Sequence, residues 1–116
     1  MAPRKPSLSA VRRAIFAVPG IVEGLSYGTP AWRNRGRLLA RLHQDGQSIM
    51  FKVGFEARDH LIRADPRTFC ITDHYRNYPS VLARLDRLTP DDIKALVLRA
   101  IEHASPKRRR RFTPRA

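Results

Sequence analysis

The segment Asp73-His74-Tyr75-Arg76-Asn77-Tyr78-Pro79 holds the densest mix of chemically active side chains in the chain. Catalysis here would require Asp73 to orient His74 as a general base. Adjacent residues of an extended chain point to opposite sides, which works against that pairing. No nucleophile accompanies the pair, since Cys70 falls within a predicted strand and no serine elbow is present. We therefore predict a loop of packed aromatic rings and no enzymatic activity.

Metal and nucleotide sites have no support in the spacing of residues. The four histidines, at positions 43, 60, 74 and 103, show no HxxxH pattern, and Cys70 is the only cysteine. Neither GxGxxG nor GxxxxGK[ST] occurs, and the helix-turn-helix and zinc-finger signatures are also missing. We predict no metal, no cofactor and no disulfide, and a single cysteine suits a reducing cytoplasm.

Four cations are predicted to share one surface of a β-meander. In the expected register Arg33 lies directly opposite Arg37, with Arg41 and Lys52 further along the same face. Long cationic side chains on a sheet can simply extend into water, where isolated charges matter little. The alternative hypothesis is that these four cations contact the phosphate backbone of a nucleic acid, because β-strands are known to present such contacts.

The second hairpin of this meander has a strong turn signal. Both positions of Asp45-Gly46 tolerate a positive φ, as a two-residue hairpin loop requires. With this loop, the cross-strand pairs are all apolar and lie on one face: Leu42 with Ile49, Ala40 with Phe51, and Leu38 with Val53. A register that sorts side chains this consistently is strongly specified.

The first hairpin is predicted to turn through three residues, Asn34-Arg35-Gly36, with Gly36 in the left-handed conformation. This loop pairs Trp32 with Leu38 and places Trp32 on the buried face. A two-residue loop would send Trp32 outward and turn Arg33 toward the core, which costs far more.

Periodicity and capping signals locate the other elements. The segment from Gly24 to Pro30 is too rich in glycine for a regular strand. Helices are expected from Leu8 to Val18 with Ser7 or Ser9 as N-cap, over Phe55–Ala64 with Ala57, Leu61 and Ala64 inward, and after Thr89 with an apolar stripe from Ile93 to Ala104. Two further strands are expected, at Thr68–Thr72 and Ser80–Leu85. The predicted fold class is α+β, with an antiparallel sheet of about five strands, N-terminal and C-terminal helices and a short middle helix.

Positive charge is concentrated at the two ends of the chain. The net charge is +13, but residues 14–104 hold all ten acidic residues and 13 of the 23 Lys and Arg, which leaves that body with +3. We predict a flexible basic lead-in at 1–6, one domain at 7–105 and a flexible basic tail at 106–116. No apolar run approaches the roughly 18–20 residues that span a bilayer.

Two stretches resemble the MmcQ/YjbR-like family. Ser26–Trp32 followed by Gly36–Leu42 is similar to its first half, and Thr72–Leu85 is similar to its second. The likeness extends from about Val11 to Lys107. It implies a compact bacterial α+β domain in a double-wing arrangement that binds DNA. The run Arg108–Arg111 is less typical of the family, so no role is inherited for it.

These observations predict a non-enzymatic protein that binds nucleic acid, double-stranded DNA in the first instance, mainly through phosphates. The predicted contacts are Arg33, Arg37, Arg41 and Lys52 on the sheet and Lys107, Arg108, Arg109, Arg110 and Arg111 in the tail. The alternative is a small-ligand or protein-interaction module, with a tail that only aids solubility. Its pocket would be formed by Tyr27, Trp32, Asp73, His74, Tyr75, Tyr78 and Arg84.

Overall fold

The computed structural model describes residues 6–105. Its helices are α1 (Leu8–Phe16), α2 (Phe55–Ala64) and α3 (Pro90–Ala104), and its strands are β1 (Val22–Ser26), β2 (Thr29–Asn34), β3 (Arg37–Leu42), β4 (Ser48–Lys52), β5 (Phe69–Cys70) and β6 (Ser80–Arg84). The strands form one antiparallel sheet in the order β1-β2-β3-β4-β6-β5. The predicted α+β class is confirmed. The predicted boundaries of the lead-in and the tail stay predictions.

The sheet gains a strand that the sequence analysis did not predict. The segment Val22–Ser26 pairs with β2 through the two-residue turn Tyr27-Gly28, in which both residues have positive φ, 53° and 81°. The glycine content of this segment argued against a strand. Ladder hydrogen bonds to β2 outweigh that weak local preference, because strand formation depends more on the partner strand than on intrinsic propensity.

The turn between β2 and β3 differs from the prediction. Asn34 pairs with Arg37 across the two-residue loop Arg35-Gly36, whose φ angles are 53° and 79°. The predicted three-residue loop is therefore wrong. A bulge follows, because Arg33 pairs with Leu38 while Trp32 pairs with Ala40. The extra residue restores the alternation, so that Trp32 is fully buried as expected.

The two-residue loop also separates two cations that were expected to face each other. Residues paired across an antiparallel ladder point to the same side, so Arg33 shares one face with Leu38 and Arg37 shares the other with Asn34. The Asn34 amide donates to the Gly20 carbonyl beyond the end of α1, which identifies that second face as the helix side. The predicted opposition of Arg33 and Arg37 is therefore wrong.

The register of the next hairpin is confirmed near its turn and wrong at its far end. Ala40 pairs with Phe51 and Leu42 with Ile49, as the turn signal predicted. The predicted two-residue loop itself is wrong, because Gly46 has a positive φ and Asp45 does not, and the Gly46 amide closes a turn by donating to the His43 carbonyl. The expected partnership of Leu38 with Val53 does not form, because the bulge turns Leu38 to the other face and β4 ends at Lys52.

The main core lies between the sheet and the helices. Its fully buried side chains include Val11, Ile15, Trp32, Leu39, Ile49, Phe51, Val81 and Val97. Helix α2 adds Ala57, Leu61 and Ile62 at the margin of this core, whereas Ala64, predicted to point inward, is exposed. A smaller cluster of Met50, Tyr75 and Leu82 lies on the opposite, outer face of the sheet.

Capping residues set the starts of the two terminal helices. Ser7 Oγ accepts a hydrogen bond from the Ala10 amide at the start of α1. Thr89 and Asp92 form a reciprocal capping box at the start of α3. Both N-caps agree with the sequence analysis. Within residues 6–105 no helix has the length and apolar character that crossing a membrane requires.

Candidate anion-binding site

The charged strand residues on the outer face of the sheet are all cations. The register places Arg41 beside Met50, Lys52 beside Ser80 and Arg84 beside Ser48 on this face. Arg33 lies on the same side, opposite Leu38. No strand residue of the described chain contributes a carboxylate to this face, although Arg84 pairs with Asp86 just beyond the end of β6.

The segment 73–79 folds across part of this outer face. It begins with a 3₁₀ turn at Asp73–Tyr75, and the ring of Tyr75 is buried on the sheet against Met50 and Leu82. The last two residues turn back to start β6. The segment thus converts an open surface into the wall of a cavity.

Arg58 of α2 fixes this segment in place. One of its guanidinium nitrogens, Nη1, donates to the carbonyl oxygens of Tyr75, Arg76 and Tyr78 at 3.3, 3.0 and 3.0 Å. Its guanidinium also lies 5.0 Å from the ring centre of Phe55. The sequence analysis missed this residue. Its position three and four residues before Leu61 and Ile62, on the inward stripe of the helix, was the available signal.

A cavity of about 560 Å³, which we call the outer-face cavity, lies between the segment 73–79, the β1–β2 turn and strands β3 and β4. This volume falls in the roughly 300–1,000 Å³ range of small-molecule sites. The side chains that carry its charge and aromatic character are Tyr27, Arg41, His43, Lys52, His74, Tyr75 and Tyr78.

Arg41 is buried in this cavity without a carboxylate. Its residue exposure is 8%, and its two terminal nitrogens donate to Thr29 Oγ1 at 3.2 Å and to Tyr75 Oη at 3.1 Å. No ion pair between the described residues includes Arg41. Buried cations in proteins are ordinarily paired, because desolvation of an unpaired charge is costly. An anion in the cavity would supply the missing partner.

Lys52 is the second cation of the cavity and has no polar partner of its own in residues 6–105. It is half-buried and lies two residues along β4 from Met50, which pairs with Arg41. This diagonal relationship brings the two side chains to within roughly 7–8 Å at their β-carbons. Both residues line the same cavity, which thus holds two positive charges.

Aromatic rings form the rim above these cations. Tyr27 is 84% exposed and Tyr78 is 52% exposed. The Tyr27 ring centre lies 5.4 Å from the guanidinium carbon of Arg41. On the opposite wall, the His74 ring lies 5.0 Å from Tyr75 and 5.7 Å from Tyr78. The cavity thus combines a cationic floor with an aromatic rim.

The structure joins residues from two sites that the sequence analysis kept apart. Arg41 and Lys52 were predicted for an open sheet surface, and four aromatic residues were predicted for a separate pocket: Tyr27, His74, Tyr75 and Tyr78. All six line one cavity. The cause is the burial of Tyr75, which brings its segment over β3 and β4.

Three residues predicted for the pocket do not line it. Trp32 is buried on the helix side, where its Nε1 donates to Glu23 at 2.9 Å. Asp73 is exposed and pairs with Arg76 at 2.6 Å, and Arg84 is exposed and pairs with Asp86.

Two residues of the predicted cationic surface do not line the cavity, and the predicted tail contacts are not among the described residues. Arg33 is half-buried beside the cavity and is not among its lining residues. Arg37 is exposed on the helix side, so its predicted place on the cationic strip is wrong. The predicted contacts at Lys107–Arg111 lie outside the described residues.

The contacts of Asp73 bear on catalysis. Its carboxylate faces Arg76, and no hydrogen bond joins it to His74. Within the described part of the chain, no group of three His, Cys, Asp or Glu residues could hold a metal ion. The arrangement is suited to binding and orienting an anion.

A larger cavity of about 880 Å³ lies between α2 and α3. Its lining includes Glu56, Asp92 and Glu102 together with Arg63 and Arg99. Because acidic and basic side chains both line this cavity, it favours neither an anionic nor a cationic ligand. The outer-face cavity differs, because Arg41 and Lys52 line it and no carboxylate of the described chain does.

Comparisons with known proteins agree with this fold. The crystal structure of the Deinococcus radiodurans protein DR2400, which has the family domain DUF419, matches with a TM-score of 0.69 and 18% identity over 97% of this chain and 86% of that one. At this identity the likeness shows a shared fold. No curated protein matches the chain significantly. The model of the YjbR family matches residues 16–102. The chain therefore belongs to the YjbR family.

Proposed function

We propose that this protein binds nucleic acid without catalysing a reaction, and that a backbone phosphate enters the outer-face cavity. The observation that carries the proposal is the buried guanidinium of Arg41, which has no carboxylate partner in the described chain. A planar guanidinium is well matched to phosphate oxygens, and Lys52 adds a second charge beside it. Two cations on one phosphate would exceed the affinity of either alone.

The net charge of +13 supports an anionic partner of high charge density. In this proposal the basic tail gives affinity for any polyanion, while the cavity gives a fixed point of attachment. Arg33, beside the cavity on the same face, is placed to contact a neighbouring phosphate. Phosphate contacts of this kind position a protein on nucleic acid without reading its sequence.

The absence of catalysis is part of the proposal. Asp73 is engaged with Arg76, so His74 lacks the carboxylate that would orient it as a general base. We also place the protein in the cytoplasm, because its single, exposed thiol at Cys70 suits a reducing compartment.

Lys52→Gln tests the proposal. Lys52 has no partner in the described chain, so its loss should leave the fold intact. Arg37→Gln removes the same charge from the opposite face and is the matched control. Binding of a fluorescein-labelled oligonucleotide, measured by anisotropy over a salt series, should lose about 0.7–0.9 from its log–log slope in Lys52→Gln, the loss for one phosphate contact. Arg37→Gln should keep the wild-type slope.

Equal slopes for wild type and Lys52→Gln would contradict the cavity as the phosphate site. Arg41→Gln extends the test, and its fold is checked by thermal unfolding, because Arg41 is buried. If Arg37→Gln reduced the slope while both cavity variants did not, the binding face would be the helix side and the proposal would be wrong.

A small anionic ligand is the second candidate. The enclosure of the cavity by the segment 73–79 favours it, because a cavity of about 560 Å³ can hold a compact molecule. Free nucleoside monophosphates and inorganic phosphate, titrated by calorimetry, distinguish the two. A free nucleotide that binds more tightly than an oligonucleotide, with little dependence on salt, would support this candidate.

A further inference from the structure

We infer that the outer-face cavity accepts one unstacked nucleotide, so that the protein prefers single-stranded nucleic acid to duplex. In this arrangement the base lies against Tyr27 and Tyr78 while its phosphate meets Arg41 and Lys52. The inference rests on the proposed function and names its substrate class. It replaces the sequence-based expectation of double-stranded DNA.

The depth of the cations supports this choice. Arg41 is only 8% exposed and lies beneath the Tyr27 ring. The phosphates of a duplex follow a convex surface and their bases are stacked inside it, so duplex DNA can touch the rim but cannot fill the cavity. A single strand can turn one base out of its stack at much lower cost.

The exposed aromatic rim supplies a stacking surface. Tyr27 is 84% exposed and has a φ of 53°, a conformation that a residue with a β-carbon rarely adopts. The two-residue turn holds the ring at the mouth of the cavity, where the described chain leaves most of it open to solvent. Exposed aromatic rings beside a cationic groove are the usual platform for single-stranded nucleic acid.

The opposite wall completes an enclosure of nucleotide size. Tyr78 is 52% exposed and its ring neighbours that of His74 at 5.7 Å. Thr72 and Ser80, whose side chains carry hydroxyl groups, also line the cavity. The two walls belong to different elements, the β1–β2 turn and the segment 73–79, so a planar group can enter from the open side between them.

Three labelled probes of one length test the inference with the full chain. They are a single strand of mixed sequence, its duplex, and the same single strand with abasic sugars, which retains the phosphates and lacks the bases. Anisotropy should give the lowest Kd for the intact single strand. The abasic strand isolates the contribution of the phosphates.

Tyr27→Asn removes the ring and keeps a residue that tolerates the left-handed turn. Its Kd for the intact strand should rise about five-fold or more, the fold-change of roughly 1 kcal/mol of base stacking. Its Kd for the abasic strand and the duplex should stay within two-fold of wild type. Tyr27→Phe keeps the ring and should bind all three probes like wild type.

Tyr78→Leu should show the same selectivity from the opposite wall. An equal loss of affinity for all three probes in Tyr27→Asn, or a wild type that prefers the duplex, would overturn the inference. Lys52→Gln separates this failure from failure of the proposed function. If Lys52→Gln raises the Kd for the abasic strand while Tyr27→Asn changes the Kd of none of the three probes, the proposal of phosphate binding is supported and the inference that a base enters the cavity is wrong.

Discussion

Removal of Arg58 should loosen the segment that forms the cavity wall. Its Nη1 lies within hydrogen-bonding distance of three carbonyl oxygens, and its Nε donates to Asp59 at 2.9 Å. A single nitrogen carries two hydrogens, so we count two effective bonds to the carbonyls. Hydrogen bonds from a charged donor contribute about 1.5–3 kcal/mol each. The exposed partner Asp59 adds little.

The expected loss for Arg58→Ala is therefore about 3–6 kcal/mol, because two bonds are lost and the carbonyls are left without their donor. This is a large share of the roughly 5–15 kcal/mol that keeps a domain folded. Urea unfolding followed by the fluorescence of Trp32 gives the free energy. Amide hydrogen exchange over residues 73–79 shows whether the loss is local to that segment.

Two variants serve as controls for this measurement. Arg63→Ala removes an exposed arginine from the same helix and should change the free energy of unfolding by less than about 0.5 kcal/mol. Arg58→Lys keeps the charge and loses the planar fork, so it should fall between wild type and Arg58→Ala. If Arg58→Ala lowered the free energy of unfolding by less than about 1 kcal/mol and left hydrogen exchange in the segment 73–79 unchanged, the hydrogen bonds from Arg58 would not hold that segment in place.

Three further outcomes are expected. The hydrogen bonds from Arg12 and Trp32 hold the pKa of Glu23 below its usual value. The free energy that Glu23 contributes to folding is therefore fully present above the pKa that this carboxyl has in the unfolded chain, and it is lost as the pH falls through the lowered pKa of the folded protein. Glu23→Gln should cost about 1 kcal/mol in urea titrations at pH 7, and a deficit that persisted in acid would contradict this. Because Arg35 and Gly36 both have positive φ, Gly36→Ala should lower the free energy of unfolding by about 1–2 kcal/mol in thermal unfolding, and Arg35→Gly should not destabilise the protein. If Arg35→Gly did destabilise it, the three-residue loop would be favoured. Trp32→Ala should cost about 3–5 kcal/mol in urea unfolding, and bound oligonucleotide should leave the emission of Trp32 unshifted because it lies on the opposite face.

Local signals in the sequence were sufficient for the elements that local interactions determine. The capping residue Thr89 and the full range of the middle helix at Phe55–Ala64 were predicted correctly, and the N-cap of the first helix is Ser7, one of the two residues predicted for it. The turn at Asp45-Gly46 gave the correct register beside it. Each of these features depends on residues a few positions apart, so the chain need not be folded for the preference to exist.

The β2–β3 hairpin shows where local reasoning ends. Two loop lengths were compatible with Asn34-Arg35-Gly36, and the choice was made by assuming regular alternation. The structure combines the shorter loop with a bulge near Leu39, so that Trp32 stays in the core. Only packing against α1 and α3 selects that combination, because the core accepts the indole ring on one side of the sheet alone.

The candidate site is also a product of tertiary structure. The sequence identified Arg41 as a cation of the sheet and Tyr75 as part of an aromatic loop, in two competing hypotheses. Their hydrogen bond joins residues 34 positions apart. It exists because Arg58 and the outer-face cluster hold the loop on the sheet. Residue types alone thus predicted an affinity for anions, whereas the burial of Arg41 beneath a distant segment, on which the proposed anion site depends, was decided by the tertiary structure.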